Sequence, residues 1–311
     1  MDRDRQQFER ELGALLGETQ IRREEPMSRH TTFRVGGAAE YFLMPDLQQT
    51  PELVALCKRC EMPLVIIGNG SNILVSDAGI RGVVIEMGSN ASAIDVKENR
   101  LYVQAGTLLS EAANTAARQK LAGLEFAAGI PGSLGGAVVM NAGAYGGEMK
   151  DVLQRVRVLT KSGQVELREA GELELSYRHS RMMREGELVL EAELSLTPGD
   201  EAEIRGRMEE LKKKRVAKQP LEYPSAGSTF KRPPGYFAGK LIEEAGLRGF
   251  CVGAAQVSEK HCGFVINRGG ACASDILELM RRVRARVKET SGVELEPEVR
   301  LLGFAPGEGL V

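Results

Sequence analysis

Three features are missing from this chain of 311 residues, and each absence removes a class of function. There is no excess of one charge: 41 Lys and Arg stand against 43 Asp and Glu, a net charge of -2, so no global basic field points to nucleic acid. There is no apolar run approaching the ~20 residues a membrane helix needs. The charged, helix-patterned start MDRDRQQFERELGALLG also lacks the apolar core of a signal peptide, and a cytoplasmic protein is expected. There is no disulfide framework, because the cysteines at 57, 60, 251, 262 and 272 are odd in number and scattered. Cys57 and Cys60 form a C-x-x-C inside the helical pattern PELVALCKRCE, with no second pair or His cluster nearby. They read as reduced helix residues, and no metal is expected.

What is present is the composition of a soluble globular protein, 42% hydrophobic and 27% charged. The length suggests two or three domains at ~100 to 200 residues each. An N-terminal helix carries Phe8, Leu12, Leu15 and Leu16 on one face. YFLMP around Tyr41, PELVALCKRCEM and PLVIIG then read as strand, helix and buried strand, a small α/β unit. From Gly82 to about Leu196 short β-like runs alternate with polar turns, with KSGQ as a hairpin turn, and one helix, TLLSEAANTAARQKLAG, is expected to end at Gly123. The charged helix EAEIRGRMEELKKKRVAKQP ends at Pro220 as a connector, its Lys-Lys-Lys-Arg run a solvated face. GKLIEEAGLRGF reads as a helix stopped by Gly246, VSEKHCGFVIN as a strand, ASDILELMRRVRARVKETSG as an amphipathic helix and VELEPEVRLLG as the last strand.

The segment YPSAGSTFKRPPGYFAGK from Tyr223 sets the Ser228 hydroxyl between Gly227 and Thr229, with Lys231 and Arg232 just after it. Small neighbours let a ligand approach the backbone, and the cations suit an anionic substrate beside a hydroxyl proton donor. An ordinary Gly/Pro surface loop is the competing reading. Gly68, Asn69, Gly70, Ser71 and Asn72 form a Gly-rich turn after a strand, although Ile73 stands where a Rossmann turn has its third glycine. GIPGSLGG from Gly129 is a second such loop, stiffened by Pro131 and carrying the Ser133 hydroxyl. Two loops with bare backbone N–H groups suit a pyrophosphate. Near His30, the Thr hydroxyls of HTTF either bond the backbone or face a cofactor, and His30 itself reads as structural. In EPEVRLLG, alternation turns Glu298 and Arg300 to one face and Val299 and Leu301 to the other.

Taken in chain order, HTTFRVGG from His30, VIIGNGSNILVSD from Val65, GIPGSLGGAVVMNAGAYGGE from Gly129, YRHSR from Tyr177, the Ser228 segment and EPEVRLLG from Glu296 resemble the UDP-N-acetylenolpyruvoylglucosamine reductase family. These are FAD enzymes of bacterial cell-wall precursor synthesis, and the resemblance runs from about His30 to about Gly303. It implies an α+β protein: an FAD-binding fold of the vanillyl-alcohol-oxidase/PCMH type in two subdomains, 1–80 and 81–204, and a C-terminal α+β substrate-binding domain, 205–311. It implies NADPH-dependent, FAD-mediated reduction of an enolpyruvyl UDP-sugar to UDP-N-acetylmuramate; a monomer is expected. The short connection between Arg178 and Ser228 leaves no room for the inserted Tyr loop of one branch, so the chain resembles the second, loop-lacking type. Arg178 is implied on the substrate carboxylate, Ser228 as proton donor and Glu298 as the catalytic acid, with Lys231 and Arg232 on substrate anions. The cofactor contacts implied are Gly68, Asn69, Gly70, Ser71, Asn72, Ile130, Pro131, Gly132, Ser133, Gly136 and Asn141. Asn141 also reads as a turn residue, and Arg178 as a surface ion-pair partner. Two other classes stay open: a sugar or lactone oxidase of the same fold, and a UDP-sugar-binding module without flavin, which the colour of the purified protein distinguishes.

Overall fold

Helix Arg3–Leu15 buries Phe8 and Leu12, with Leu16 just past its end, because positions four apart share a face. Phe8 meets the Tyr41 ring edge-on, centroids 5.2 Å apart. The structure, a computed structural model, describes residues 3–309. It divides into two compact units that interleave along the chain. The first comprises the N-terminal residues through Arg23, residues 41–69 and residues 82–215. The second comprises residues 24–40, residues 70–81 and the chain from Val216 onward.

The expected strand, helix and strand near the N-terminus are Ala38–Leu43, Gln49–Arg59 and Leu64–Ile67. Strand Leu64–Ile67 pairs in parallel with Ile80–Glu86, in a four-stranded sheet ordered Ile21–Pro26, Ala38–Leu43, Ile80–Glu86, Leu64–Ile67. Cys57 and Cys60 are both buried there, and burial together with the neighbouring thiol pushes the Cys57 thiol up to about 12. A thiol held protonated in this way is a poor nucleophile and a poor ligand.

The main sheet of the first unit is antiparallel, ordered Val165–Glu169, Leu153–Leu159, Leu188–Ser195, Arg100–Gln104, Ile94–Lys97. Gly163 takes φ 91° in the hairpin that KSGQ announces. The helix expected to run to Gly123 is Leu109–Arg118, and it stops early because Lys120 takes the left-handed conformation at φ 58°. Leu121–Ala122 is then free to pair with Thr197–Pro198.

In the second unit an antiparallel sheet ordered Ser225–Ser228, Phe264–Asn267, Ala255–Val257, Cys251–Val252 packs its apolar side chains with helices Ala238–Glu244 and Ala273–Ser291. The single strand expected over VSEKHCGFVIN is instead two strands and a turn. The Ser258 hydroxyl accepts from the N–H groups of Lys260 and His261, and this local competition breaks the strand. Strand Arg300–Leu302 pairs in parallel with Ile73–Val75.

Candidate functional site

In the first unit the two Gly-rich loops meet. The Asn69 side-chain amide donates to the Pro131 carbonyl at 2.8 Å, and a Cβ on Gly68 would lie 2.1 Å from the Ser133 hydroxyl oxygen. Only glycine permits that approach. Ser133 begins helix Leu134–Val139, and its bridge to Leu108 and the bond from the Leu109 N–H to the Gly132 carbonyl (2.9 Å) fix the loop. Not every N–H of this loop is bare, since Leu134 donates to Thr107 and Gly135 to Ala105. The Ser133 hydroxyl, by contrast, is buried and has no hydrogen-bond partner. A buried polar atom without a partner is costly, and it marks where a ligand oxygen is wanted.

Asn141 is buried at φ 42° and its amide is engaged by the protein itself. It donates to the Glu148 carboxylate at 2.7 Å and to the Ser176 carbonyl at 3.2 Å, and accepts from the Lys150 N–H at 2.9 Å. Both amide hydrogens are therefore spent, leaving one lone pair. The Ser176 contact ties this loop to the turn bearing Arg178, which is closed by a bridge between Ser176 and His179. Arg178 sits half-buried at φ 55°, its guanidinium carbon 5.1 Å from the Tyr177 ring centre. A non-glycine residue at positive φ is strained, and surrounding bonds must hold it there. The Ser180 hydroxyl supplies one, donating to Val139 at 2.7 Å.

In the second unit Ser228 and Glu298 come together through backbone pairing. Phe230 bridges Pro297, the Glu298 N–H donates to the Thr229 carbonyl at 2.9 Å, and the Lys231 N–H donates to Glu296 at 2.8 Å. Ser228 thus lies next to the residue that Glu298 binds. Gly227 at φ 75° makes the irregularity in strand Ser225–Ser228, and buried Thr229 accepts the Val265 N–H on its hydroxyl at 3.0 Å. Asn72 clamps the other side, donating its amide to the Glu298 carbonyl at 3.2 Å while its own carbonyl accepts from Arg300. Of the two cations expected on substrate, Lys231 is ion-paired with Glu296, and Arg232 lies 4.6 Å from the Phe237 ring centre.

Near the N-terminal edge of this unit, Gly70 at φ 61° leaves no room for a Cβ, which would fall 1.9 Å from the His30 carbonyl. His30 pairs with Glu25 at 3.0 Å, a structural partner. The threonines divide: Thr31 bonds the Val35 carbonyl at 2.9 Å, and the Thr32 hydroxyl is buried without a partner.

Arg215 departs from the solvated face expected of the Lys-Lys-Lys-Arg run. It is half-buried against Gly129 in the first unit, and burial pulls its pKa below the usual arginine value. Its signal was spacing, one helical step of four from buried Leu211.

The orphaned Ser133 hydroxyl and the Gly68 cradle fit a phosphate-bearing cofactor. A family model described as an FAD binding domain matches residues 39–167, and one described as the UDP-N-acetylenolpyruvoylglucosamine reductase C-terminal domain matches residues 219–302. The UDP-N-acetylenolpyruvoylglucosamine reductase of Agathobacter rectalis is 53% identical over 310 residues, covering 96% of this chain and 99% of the relative. That of Clostridioides difficile is 49% identical over 290 residues, covering 93% and 95%. The crystal structure of the Thermus caldophilus reductase superposes with a TM-score of 0.78 at 38% identity, covering 91% of this chain and 99% of that one. The expected combination of an FAD-binding domain and a C-terminal domain of the reductase family is therefore present. With identity near one half over almost its whole length, the chain belongs to the UDP-N-acetylenolpyruvoylglucosamine reductase family and is an FAD-dependent oxidoreductase.

Proposed function

We propose that the protein reduces UDP-N-acetyl-3-O-(1-carboxyvinyl)-glucosamine to UDP-N-acetylmuramate with NADPH, a cytoplasmic step of peptidoglycan precursor synthesis. The observation that carries this reading is the pairing of residues 229–231 with 296–298, which holds Glu298 on Thr229, the neighbour of Ser228. When bound, FAD would supply the redox chemistry, with NADPH as the reductant and the enol ether of the substrate as the acceptor.

Addition at the methylene carbon of the enol ether leaves negative charge on the carboxylate side of the substrate. Arg178 meets that charge, its planar fork suited to a carboxylate and its turn held by Asn141 and Ser180. Ser228 donates its hydroxyl proton to the adjacent carbon, and Glu298 supports the same anionic centre. Lys231 and Arg232 hold substrate anions, Lys231 exchanging its Glu296 partner for one. Gly68, Asn69, Gly70, Ser71, Ile130, Pro131, Gly132, Ser133 and Gly136 form the cofactor cradle. Asn72 and Asn141 complete it, Asn72 with one amide N–H on the Glu298 carbonyl and Asn141 with the lone pair its own bonds leave over. The three-part division at 80 and 204, and a monomeric state, complete the reading.

An anaerobic NADPH titration of the purified yellow protein tests it. The flavin absorbance should bleach, and the enolpyruvyl substrate should restore it with UDP-N-acetylmuramate detected by mass spectrometry. Bleaching without restoration by that substrate overturns the assignment.

A further inference from the structure

Phe237 is the one exposed phenylalanine among the described residues, at 60%, and its neighbour Tyr236 is 50% exposed. Two adjacent aromatic rings in water are a poor use of apolar surface, and such patches mark binding sites. These rings are also rigidly presented. Pro233 and Pro234 stiffen the approach, Gly235 turns at φ 76°, and the Tyr236 N–H closes the turn on the Pro233 carbonyl at 3.0 Å. On the far side Phe237 caps helix Ala238–Glu244, its carbonyl accepting from Lys240 at 3.0 Å and Leu241 at 3.1 Å. Ala238 and Leu241 are buried, so the rings stand out from an anchored backbone. The Arg232 guanidinium carbon lies 4.6 Å from the Phe237 ring centre, and the phenylalanine is still 60% exposed. No acidic residue occurs from Arg232 to Lys240.

A flat aromatic surface, a bidentate cation and no acid are complementary to a nucleobase carrying a diphosphate. The same stretch of chain begins at Ser228 and is laced to residues 296–298, which makes it continuous with the proton-donating segment. We propose that Phe237 and Tyr236, backed by Arg232, form the platform on which the uracil of the UDP-sugar stacks. The proposal rests on the function above and names the uridine contact within it.

Isothermal titration of FAD-loaded protein with UDP, which lacks the reacting sugar, tests it. Phe237→Ala should weaken UDP binding about 10-fold or more, the scale of one lost base-aromatic stack, while Phe237→Tyr stays near wild type and Tyr236→Ala falls between. FAD content and NADPH-driven bleaching should stay unchanged in all three variants. Wild-type affinity in Phe237→Ala, with flavin retained, overturns the platform and leaves the proposed function standing. Equal weakening of UDP and NADPH overturns the uracil assignment in favour of a general nucleotide contact. Wild-type protein that holds FAD and takes no UDP overturns both the platform and the proposed function.

Discussion

Glycine is required for different reasons in the two Gly-rich regions. Around the first unit's loops the constraint is space: a Cβ on Gly68 would sit 2.1 Å from Ser133, and on Gly129 3.2 Å from Arg215. In the segment around Ser228 the constraint is conformation, because Gly227 and Gly235 have nothing within 4 Å of a Cβ yet take φ of 75° and 76°. The first region is a cradle whose walls must touch. The second is a segment whose backbone must bend between buried side chains, Ala226, Thr229 and Phe230, and the exposed rings of Tyr236 and Phe237.

The largest break in this comparison is Gly132→Glu, which puts a negative charge where the cofactor phosphates belong and should yield folded, colourless protein. An absorbance spectrum beside circular dichroism checks it, and stoichiometric flavin in the variant would rule out the loop assignment. Ser228→Ala should leave NADPH-driven bleaching nearly unchanged and slow reoxidation by substrate by a factor on the order of 10² or more. Stopped-flow absorbance separates the two half-reactions, and slowed bleaching would make Ser228 a binding residue.

Asn141→Leu leaves the Lys150 N–H and the Ser176 carbonyl without their buried partner, at a cost of about 1 to 3 kcal/mol. It should lower the melting temperature and slow reoxidation by freeing the Arg178 turn, while a flavin-content change without slower reoxidation would place Asn141 on the cofactor. The smallest effects sharpen the contrast itself. Gly68→Ala should lower FAD affinity by forcing the Ser133 hydroxyl to rotate, with little change in stability. Gly227→Ala should cost about 1 to 2 kcal/mol of left-handed strain with FAD affinity unchanged. The same response to both variants, read by FAD titration and thermal melting, would erase the distinction.

Helix Ala273–Ser291 with its Gly292 stop, and the hairpin joining Leu153–Leu159 to Val165–Glu169, were legible because their signals are local. The interleaving of the units was not. It depends on pairings such as Ile73–Val75 with Arg300–Leu302, which no local pattern announces. The break after Val257 had a local signal in Ser258, outweighed by the apolar run that follows. Within the site, residue types were readable and their commitments were not. Asn72 and Asn141 read as ligand contacts because amides bind phosphates and flavins well; what no local pattern announces is that Asn72 also donates to the Glu298 carbonyl and Asn141 to the Glu148 carboxylate and the Ser176 carbonyl. Lys231 read as a substrate cation, and Glu296, set aside in favour of Glu298, turns out to be its partner.

The parallel pairing of Ile73–Val75 with Arg300–Leu302 also sets an order of events during synthesis. At about 5 to 20 residues per second, roughly 10 to 45 seconds separate the emergence of the two strands from the ribosome. Throughout that interval Ile73, Leu74 and Val75, all buried in the finished protein, belong to a strand whose partner does not yet exist. Nascent chains and fragments ending before Arg300 therefore carry an apolar, unpaired strand edge, the kind of surface that chaperones hold and that aggregates grow from. Residues 300–302 are the ones that close it.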